Sequence, residues 1–185
     1  MRIIAGLYRG RRLKTLPGLE VRPTPDRLRE TLFDVLGSSV EGTVFIDGYA
    51  GCGAVGIEAL SRGAGHVTWI EESAAACRVI RENLASLNIR SHADLLHATV
   101  RRGLRELEQR GLRARFCFLD PPYSERREYE QSLRWLGEHP VVESGGFVIV
   151  QHSKRELLVE KSGRLTRLRL LTQGSNALSF YRQDA

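Results

Sequence analysis

From residue 43 onward the apolar positions of this chain alternate between two rhythms. Five short apolar runs read as strands: 44–46, a buried one, then 67–70, 95–97, 116–119 and 147–150. Between them lie stretches with a period near 3.6. Residues 54–62 stop at Gly63, residues 73–87 keep Ala76, Ile80, Leu84 and Leu87 in register, residues 101–110 stop at Gly111, and a fourth helix falls around 127–137. Residues 165–171 and 177–181 flank Gly174-Ser175-Asn176 and predict a hairpin. Strand–helix alternation that ends in a hairpin predicts an α/β fold, a doubly wound, mostly parallel sheet of seven strands with an antiparallel edge.

The first 42 residues follow another pattern. In 2–14, apolar residues are broken by Gly6 and Gly10, which predicts a small β-hairpin with cations on its exposed side. Thr24 suits a helix N-cap, Pro25 the first helical position and Asp26 the first turn. The helix carries Leu28, Leu32, Val35 and Leu36 on one face and ends at Gly37. We therefore divide the chain into a basic N-terminal extension, 1–21, and an α/β domain, 22–185.

Composition narrows the class. With 42% hydrophobic and 27% charged residues, the chain has globular composition and is not a disordered tail. No apolar run has the length of a membrane span, and no apolar core follows the basic N-terminus as in a secretory signal. Cys52, Cys77 and Cys117 are widely spaced and the five histidines show no ligand spacing, so neither a disulfide framework nor a metal site is expected. A reducing, cytoplasmic location follows. The net charge of +6 is concentrated in the first 29 residues, where Arg2, Arg9, Arg11, Arg12, Lys14, Arg22, Arg27 and Arg29 face Glu20 and Asp26 alone. That distribution suits one face meeting a polyanion. Arg2, Arg9, Arg11, Arg12 and Lys14 are the candidate nucleic-acid contacts, positioning RNA through its phosphates; a solvated hairpin face is the plainer alternative.

Gly51-Cys-Gly53-Ala-Val-Gly56 fits the G-x-G-x-x-G pattern between a strand and a helix, with Glu71 twenty residues beyond Gly51. The spacing matches a dinucleotide fingerprint, in which the acid holds ribose hydroxyls. Asp47, four residues before the first glycine, would repel a pyrophosphate. It suits a ligand with an ammonium and a sulfonium group, which points to S-adenosylmethionine. Tyr49, Gly51 and Gly53 in the same loop complete this side of the candidate cofactor site. Asp47 as a strand-end residue capping the loop is the alternative.

Asp120-Pro121-Pro122-Tyr123 closes the fourth strand and is the most specific feature of the chain. Consecutive prolines stiffen the backbone and leave carbonyls without N–H donors. Asp120 and the Pro121 carbonyl can accept both hydrogens of an exocyclic base amine, and Tyr123 can stack on the base. Two acceptors favour the nitrogen geometry that develops during transfer, a gain larger in the transition state than in the ground state. A strand-end Asp-Pro turn with a core tyrosine is the alternative.

This segment is similar to the signature of methyltransferases that act on exocyclic nucleobase amines. Four stretches together resemble the bacterial small-subunit rRNA guanine-N2 methyltransferases of the RsmD type. They are Arg2-Ile-Ile with Arg9-Gly-Arg-Arg-Leu13, the run from Arg22-Pro-Thr-Pro to Leu32-Phe33, 47–62 with its Glu58-Ala-Leu-Ser-Arg62 end, and Leu119-Asp-Pro-Pro-Tyr123. The resemblance covers nearly the whole chain. It implies a Rossmann-like methyltransferase sheet, S-adenosylmethionine as cofactor, and methylation of one guanine of 16S rRNA in the 30S subunit or an assembly intermediate, by a monomer without a metal. It also implies a segment at Arg22, Thr24 and Arg27 that closes over the cofactor; a helix-start network with Asp26 and Glu30 is the alternative. The chain departs from the pattern with Glu71-Glu72-Ser73 after the second strand and with Thr99-Val100 where an Asp or Asn often meets adenine, leaving Thr99 as that contact. Three other readings compete: a DNA adenine-N6 methyltransferase, an NAD-dependent oxidoreductase built on the glycine loop, and a non-catalytic RNA-binding module.

Overall fold

Strands β1 (Val44–Gly48), β2 (His66–Glu71), β3 (Ala93–His97), β4 (Ala114–Leu119) and β5 (Val142–Ser153) run parallel, while β6 (Lys161–Ser162), β7 (Leu165–Gln173) and β8 (Asn176–Gln183) are antiparallel. They form one sheet in the order β3-β2-β1-β4-β5-β8-β7-β6 in a computed structural model that describes residues 1–16, 26–122 and 126–185. The expected seven strands are joined by an eighth. β6 has only two residues, too few to show any period. The expected helices appear within a residue or two as α2 (Ala54–Ser61), α3 (Ala74–Ser86), α4 (Val100–Gln109) and α5 (Arg126–Glu138), preceded by α1 (Asp26–Leu36).

Alternation along each strand builds two cores. Phe45, Trp69, Phe116, Phe118 and Ile149 pack on one face beneath α1, α2 and α3. Ile46, Ile70, Cys117, Leu119 and Val148 pack on the other beneath α4 and α5. No described helix is long and apolar enough to cross a membrane. Strand order reverses between β1 and β4, so their carboxyl ends diverge into a crevice, the usual ligand position in such sheets.

The N-terminal hairpin differs from expectation. Arg2 and Arg12 form a single antiparallel bridge, supported across the turn by Ile3 N–H on the Arg11 carbonyl at 3.0 Å and Gly10 N–H on the Ile3 carbonyl at 2.9 Å, while the donors of Ile4, Ala5, Leu7 and Tyr8 go to the domain. Ile4 N–H and Ala5 N–H donate to the two carboxylate oxygens of Glu58 at 2.8 and 3.0 Å. Leu7 N–H reaches the Ser61 carbonyl at 2.7 Å and Tyr8 N–H its hydroxyl at 3.0 Å. Gly6 lies so close to α2 that a Cβ would sit 1.8 Å from the Ser61 carbonyl oxygen. Ile3 and Leu13 are buried in the same core as α2, and Asn83 of α3 brackets Lys14 by accepting from its N–H at 2.8 Å and donating to its carbonyl at 3.1 Å.

Two charges lie beneath this arm. Arg29 and Glu58 are both fully buried, with Arg29 Nε 3.8 Å from Glu58 Oε2. Arg29 Nη2 also donates to the Arg2 carbonyl at 2.5 Å and to Asp26 at 3.1 Å, and Arg62 Nε donates to Glu58 at 2.9 Å. The apolar face of α1 is accordingly Leu28, Leu32, Phe33 and Leu36 with Arg29 among them, while Val35 is only half-buried. Glu58→Ala strands the buried guanidinium and two backbone donors, so we expect a loss of about 3–5 kcal/mol. Urea unfolding measures that loss, and limited proteolysis is expected to cut first within residues 1–16.

Candidate active site

The carboxyl ends of β1, β2, β4 and β5 surround a cleft of about 1070 Å³. The loop after β1 turns sharply, with Tyr49, Gly51 and Gly53 at φ 59°, 57° and 79°, in the left-handed region. Two carboxylates hold it. Asp47 Oδ2 accepts the Gly56 N–H at 2.8 Å, in the first turn of α2. Glu71 accepts the Gly51 N–H at 2.8 Å through one oxygen and the Ser73 N–H at 2.7 Å through the other. Burial pushes the Asp47 carboxyl well above the usual carboxylate range; the Gly56 bond opposes this, and the charges of Asp120 and Glu71 add to it.

Among the sequence-predicted residues, the structure brings Tyr49, Gly51, Glu71, Thr99, Asp120, Pro121 and Pro122 together on the cleft wall. Asp47 and Gly53 stand behind that wall, where Asp47 is 2% exposed and holds the loop. Thr99 is the N-cap of α4, its hydroxyl accepting from Arg102 N–H at 3.4 Å. Tyr49 donates from its hydroxyl to Glu128 at 2.7 Å and lies 3.3 Å from the Ser132 hydroxyl, tying α5 to the loop; burial and the neighbouring Glu128 raise its pKa despite the Ser132 bond. Arg27 is exposed on α1 and is not among the lining residues. Tyr123, Arg22 and Thr24 lie outside the described residues.

The Pro121 carbonyl accepts the hydroxyl of Tyr129, itself buried, at 3.3 Å. Tyr129 meets the His152 ring edge-on at 6.4 Å, and His152 is anchored on the Ser153 carbonyl at 2.8 Å and the Ser179 hydroxyl at 2.9 Å. Among the described residues Tyr129 is the side-chain donor to this oxygen, and a carbonyl oxygen has two lone pairs. The sequence reading missed Glu128, Ser132 and Trp135 on the cleft wall, although their spacing of four and three residues on α5 was a usable signal. It also missed Gln151, a polar residue that ends the apolar run 147–150.

On the arm, Arg2, Arg9, Arg11, Arg12 and Lys14 are all exposed. Arg11 donates to the Ser86 carbonyl at 2.8 Å, at the end of α3, and Lys14 pairs with Glu82 at 2.9 Å. Arg2 lies 4.0 Å from Asp26. Arg9 and Arg12 make no ion pair among the described residues.

The donor set decides what the loop can hold. A pyrophosphate needs free N–H groups at the start of α2, but carboxylates already occupy the N–H groups of Gly51 and Gly56. The named acids on the wall, Glu71, Glu72, Asp120, Glu128 and Glu138, outnumber Arg101 and Arg134, which suits a cationic ligand. The fold is shared, over 84% of this chain at 14% identity and TM-score 0.69, by a solved structure described as "SMU.776, a putative methyltransferase complexed with SAH".

The chain belongs to the family described as Conserved hypothetical protein 95, the RsmD family, whose model matches residues 1–182. It is 33% identical to the Bacillus subtilis "Putative rRNA methyltransferase YlbH", covering 99% of both chains. It is 31% identical to ribosomal RNA small subunit methyltransferase D of Escherichia coli K12, covering 100% of this chain and 91% of that one. The solved "Putative methyltransferase yhhF from Escherichia coli" superposes with TM-score 0.86 at 30% identity, covering 100% of this chain and 98% of that one.

Two substitutions test the loop. A Cβ on Gly56 would lie 2.3 Å from the Trp69 indole nitrogen, so Gly56→Ala is expected to cost about 1–3 kcal/mol in thermal unfolding. Asp47 is better protonated in the folded state than in the unfolded one, whose carboxyl sits near 3.8. Its contribution to stability is therefore complete below that value and falls as pH rises toward the folded pKa. Asp47→Asn keeps an acceptor for Gly56, and urea midpoints between pH 4 and pH 8 should lose that fall.

Proposed function

We propose that this protein transfers a methyl group from S-adenosylmethionine to the exocyclic N2 amine of one guanine in 16S rRNA. It acts in the cytoplasm as a monomer on the 30S subunit or an assembly intermediate. The observation that carries the reading is a single cleft in which Asp120-Pro121-Pro122 meets the carboxylate-held glycine loop and Glu71. The family membership and the names of the curated relatives support rRNA methylation with S-adenosylmethionine as the cofactor.

S-adenosylmethionine supplies an electrophilic methyl group on a sulfonium. Glu71 has lone pairs left for ribose hydroxyls after accepting from Gly51 and Ser73. Gly51 allows close approach of the backbone, since a Cβ there would meet nothing within 4 Å and the cleft is open beside it. Thr99 stands at the adenine end, Tyr49 holds the floor, and Asp47 and Gly53 keep the loop in shape from behind. Thr24 and Arg27 belong to the segment that closes over the cofactor.

Asp120 and the Pro121 carbonyl accept the two amine hydrogens, and Tyr129 fixes the direction of that carbonyl. Pro122 stiffens the turn and Tyr123 stacks on the base, which must leave its helical stack to enter. The proton released from nitrogen passes to Asp120 or to water. Residues 1–21 form the RNA-docking extension of the 22–185 domain, where Arg2, Arg9, Arg11, Arg12 and Lys14 meet backbone phosphates and rRNA shape gives specificity.

The oxidoreductase alternative is opposed by the carboxylates that hold the Gly51 and Gly56 N–H groups where a pyrophosphate would lie. Labelled S-adenosylmethionine incubated with 30S subunits lacking the modification, naked 16S rRNA and duplex DNA tests the rest. We expect label in one guanine's N2 on the subunits. Asp120→Ala should reduce transfer roughly 100-fold or more while calorimetric cofactor affinity stays within about twofold. Label confined to DNA adenine, or no cofactor binding, overturns the assignment.

A further inference from the structure

Among the cleft residues to which the mechanism above gives no task is a buried glutamine. Gln151 lies on β5, one step beyond the paired Leu119 and Val150, which places it beside Asp120 on the neighbouring strand. It is 2% exposed and lines the cleft with Asp120, Pro121 and Pro122. Its carboxamide oxygen is buried and has no hydrogen-bond partner among the described residues. Arg29, Thr68 and Gln183 also carry buried unpartnered atoms, but none of them lines the cleft. A buried acceptor left empty is costly, and such costs persist where a ligand fills the vacancy.

The neighbourhood of the amine grip defines what could fill it. Three bases carry an exocyclic amine. In adenine and cytosine the ring nitrogen beside that amine carries a lone pair. In guanine alone one flanking ring nitrogen carries a hydrogen, N1, with the O6 acceptor next along the same edge, while the other, N3, keeps a lone pair. An acceptor next to Asp120 therefore finds a donor in guanine and a repelling lone pair in the other two. The carboxamide also offers its NH2 alongside its oxygen. Guanine can use both groups at once, whereas a rotated carboxamide makes only one bond to adenine or cytosine.

We propose that Gln151 is the base-selecting residue of this site: its carboxamide oxygen accepts N1–H of the guanine whose N2 amine is held by Asp120 and Pro121. The proposal rests on the guanine-N2 reading above and adds what distinguishes guanine from the other amines.

The test compares two substrates and three proteins. 30S subunits are reconstituted with guanosine or 2-aminopurine riboside at the nucleotide that the wild-type protein labels. 2-Aminopurine keeps the 2-amine but has a lone pair at N1 and no O6. The wild type is expected to prefer guanine roughly 10- to 100-fold in kcat/KM. Gln151→Leu should lose that factor on guanine and change little on 2-aminopurine, with calorimetric cofactor affinity unchanged. Gln151→Met, an unbranched side chain of similar length, gives the same comparison if the leucine variant fails to fold. Equal loss on both substrates would mark a merely structural residue, and an intact guanine preference in the variants would overturn the proposal as well. Failure of the wild type to label guanine N2 at all would instead refute the underlying reaction, and the selector with it.

Discussion

Two carboxylates placed against backbone N–H groups set the conditions for the whole site. The loop after β1 must turn through three residues in the left-handed region and start a helix within a few residues of the strand. Asp47 and Glu71 make this possible by accepting from Gly56 and Gly51. The same bonds take the Gly51 and Gly56 N–H groups that a phosphate could otherwise use. The cost is a buried acid at Asp47 that favours its protonated form. Trp69 completes the support by donating to the Gly53 carbonyl at 3.2 Å, over a glycine that has no room for a side chain.

The basic arm is built on the same economy of acceptors. Glu58 occupies the interior of α2 and takes two N–H groups of the arm together with two guanidinium groups. Asn83 bridges Lys14 to the glycine loop by donating also to the Cys52 carbonyl at 3.0 Å. The arm is thus joined to the wall of the cofactor cleft by buried polar bonds, while its arginines remain at the surface. Holding those cations on a fixed backbone lowers the ordering cost of engaging a polyanion.

Behind the Asp-Pro-Pro turn stands a second layer. Ser179, His152 and Tyr129 form a chain that ends on the Pro121 carbonyl. The residues in this layer come from three different elements, α5, β5 and β8.

The sequence alone determined the order and type of nearly every element, because strands buried on both faces and amphipathic helices carry their periods in local residue spacing. It also placed Asp120-Pro121-Pro122 and Glu71 at strand ends, where a doubly wound sheet puts its ligands. It could not show that Arg29, counted among the surface cations, is buried against Glu58, since a local pattern does not reveal which face a long side chain will find covered. The same limit hid the two-residue β6 and the use of Glu58 and Ser61 in place of a regular hairpin. Tertiary structure decided which acceptors were taken and which stayed open. Asp47 accepts from Gly56, the Pro121 carbonyl accepts from Tyr129, and the Gln151 carboxamide oxygen has no partner among the described residues. Hydrogen-bond satisfaction depends on three-dimensional neighbours, and only the folded chain assembles them.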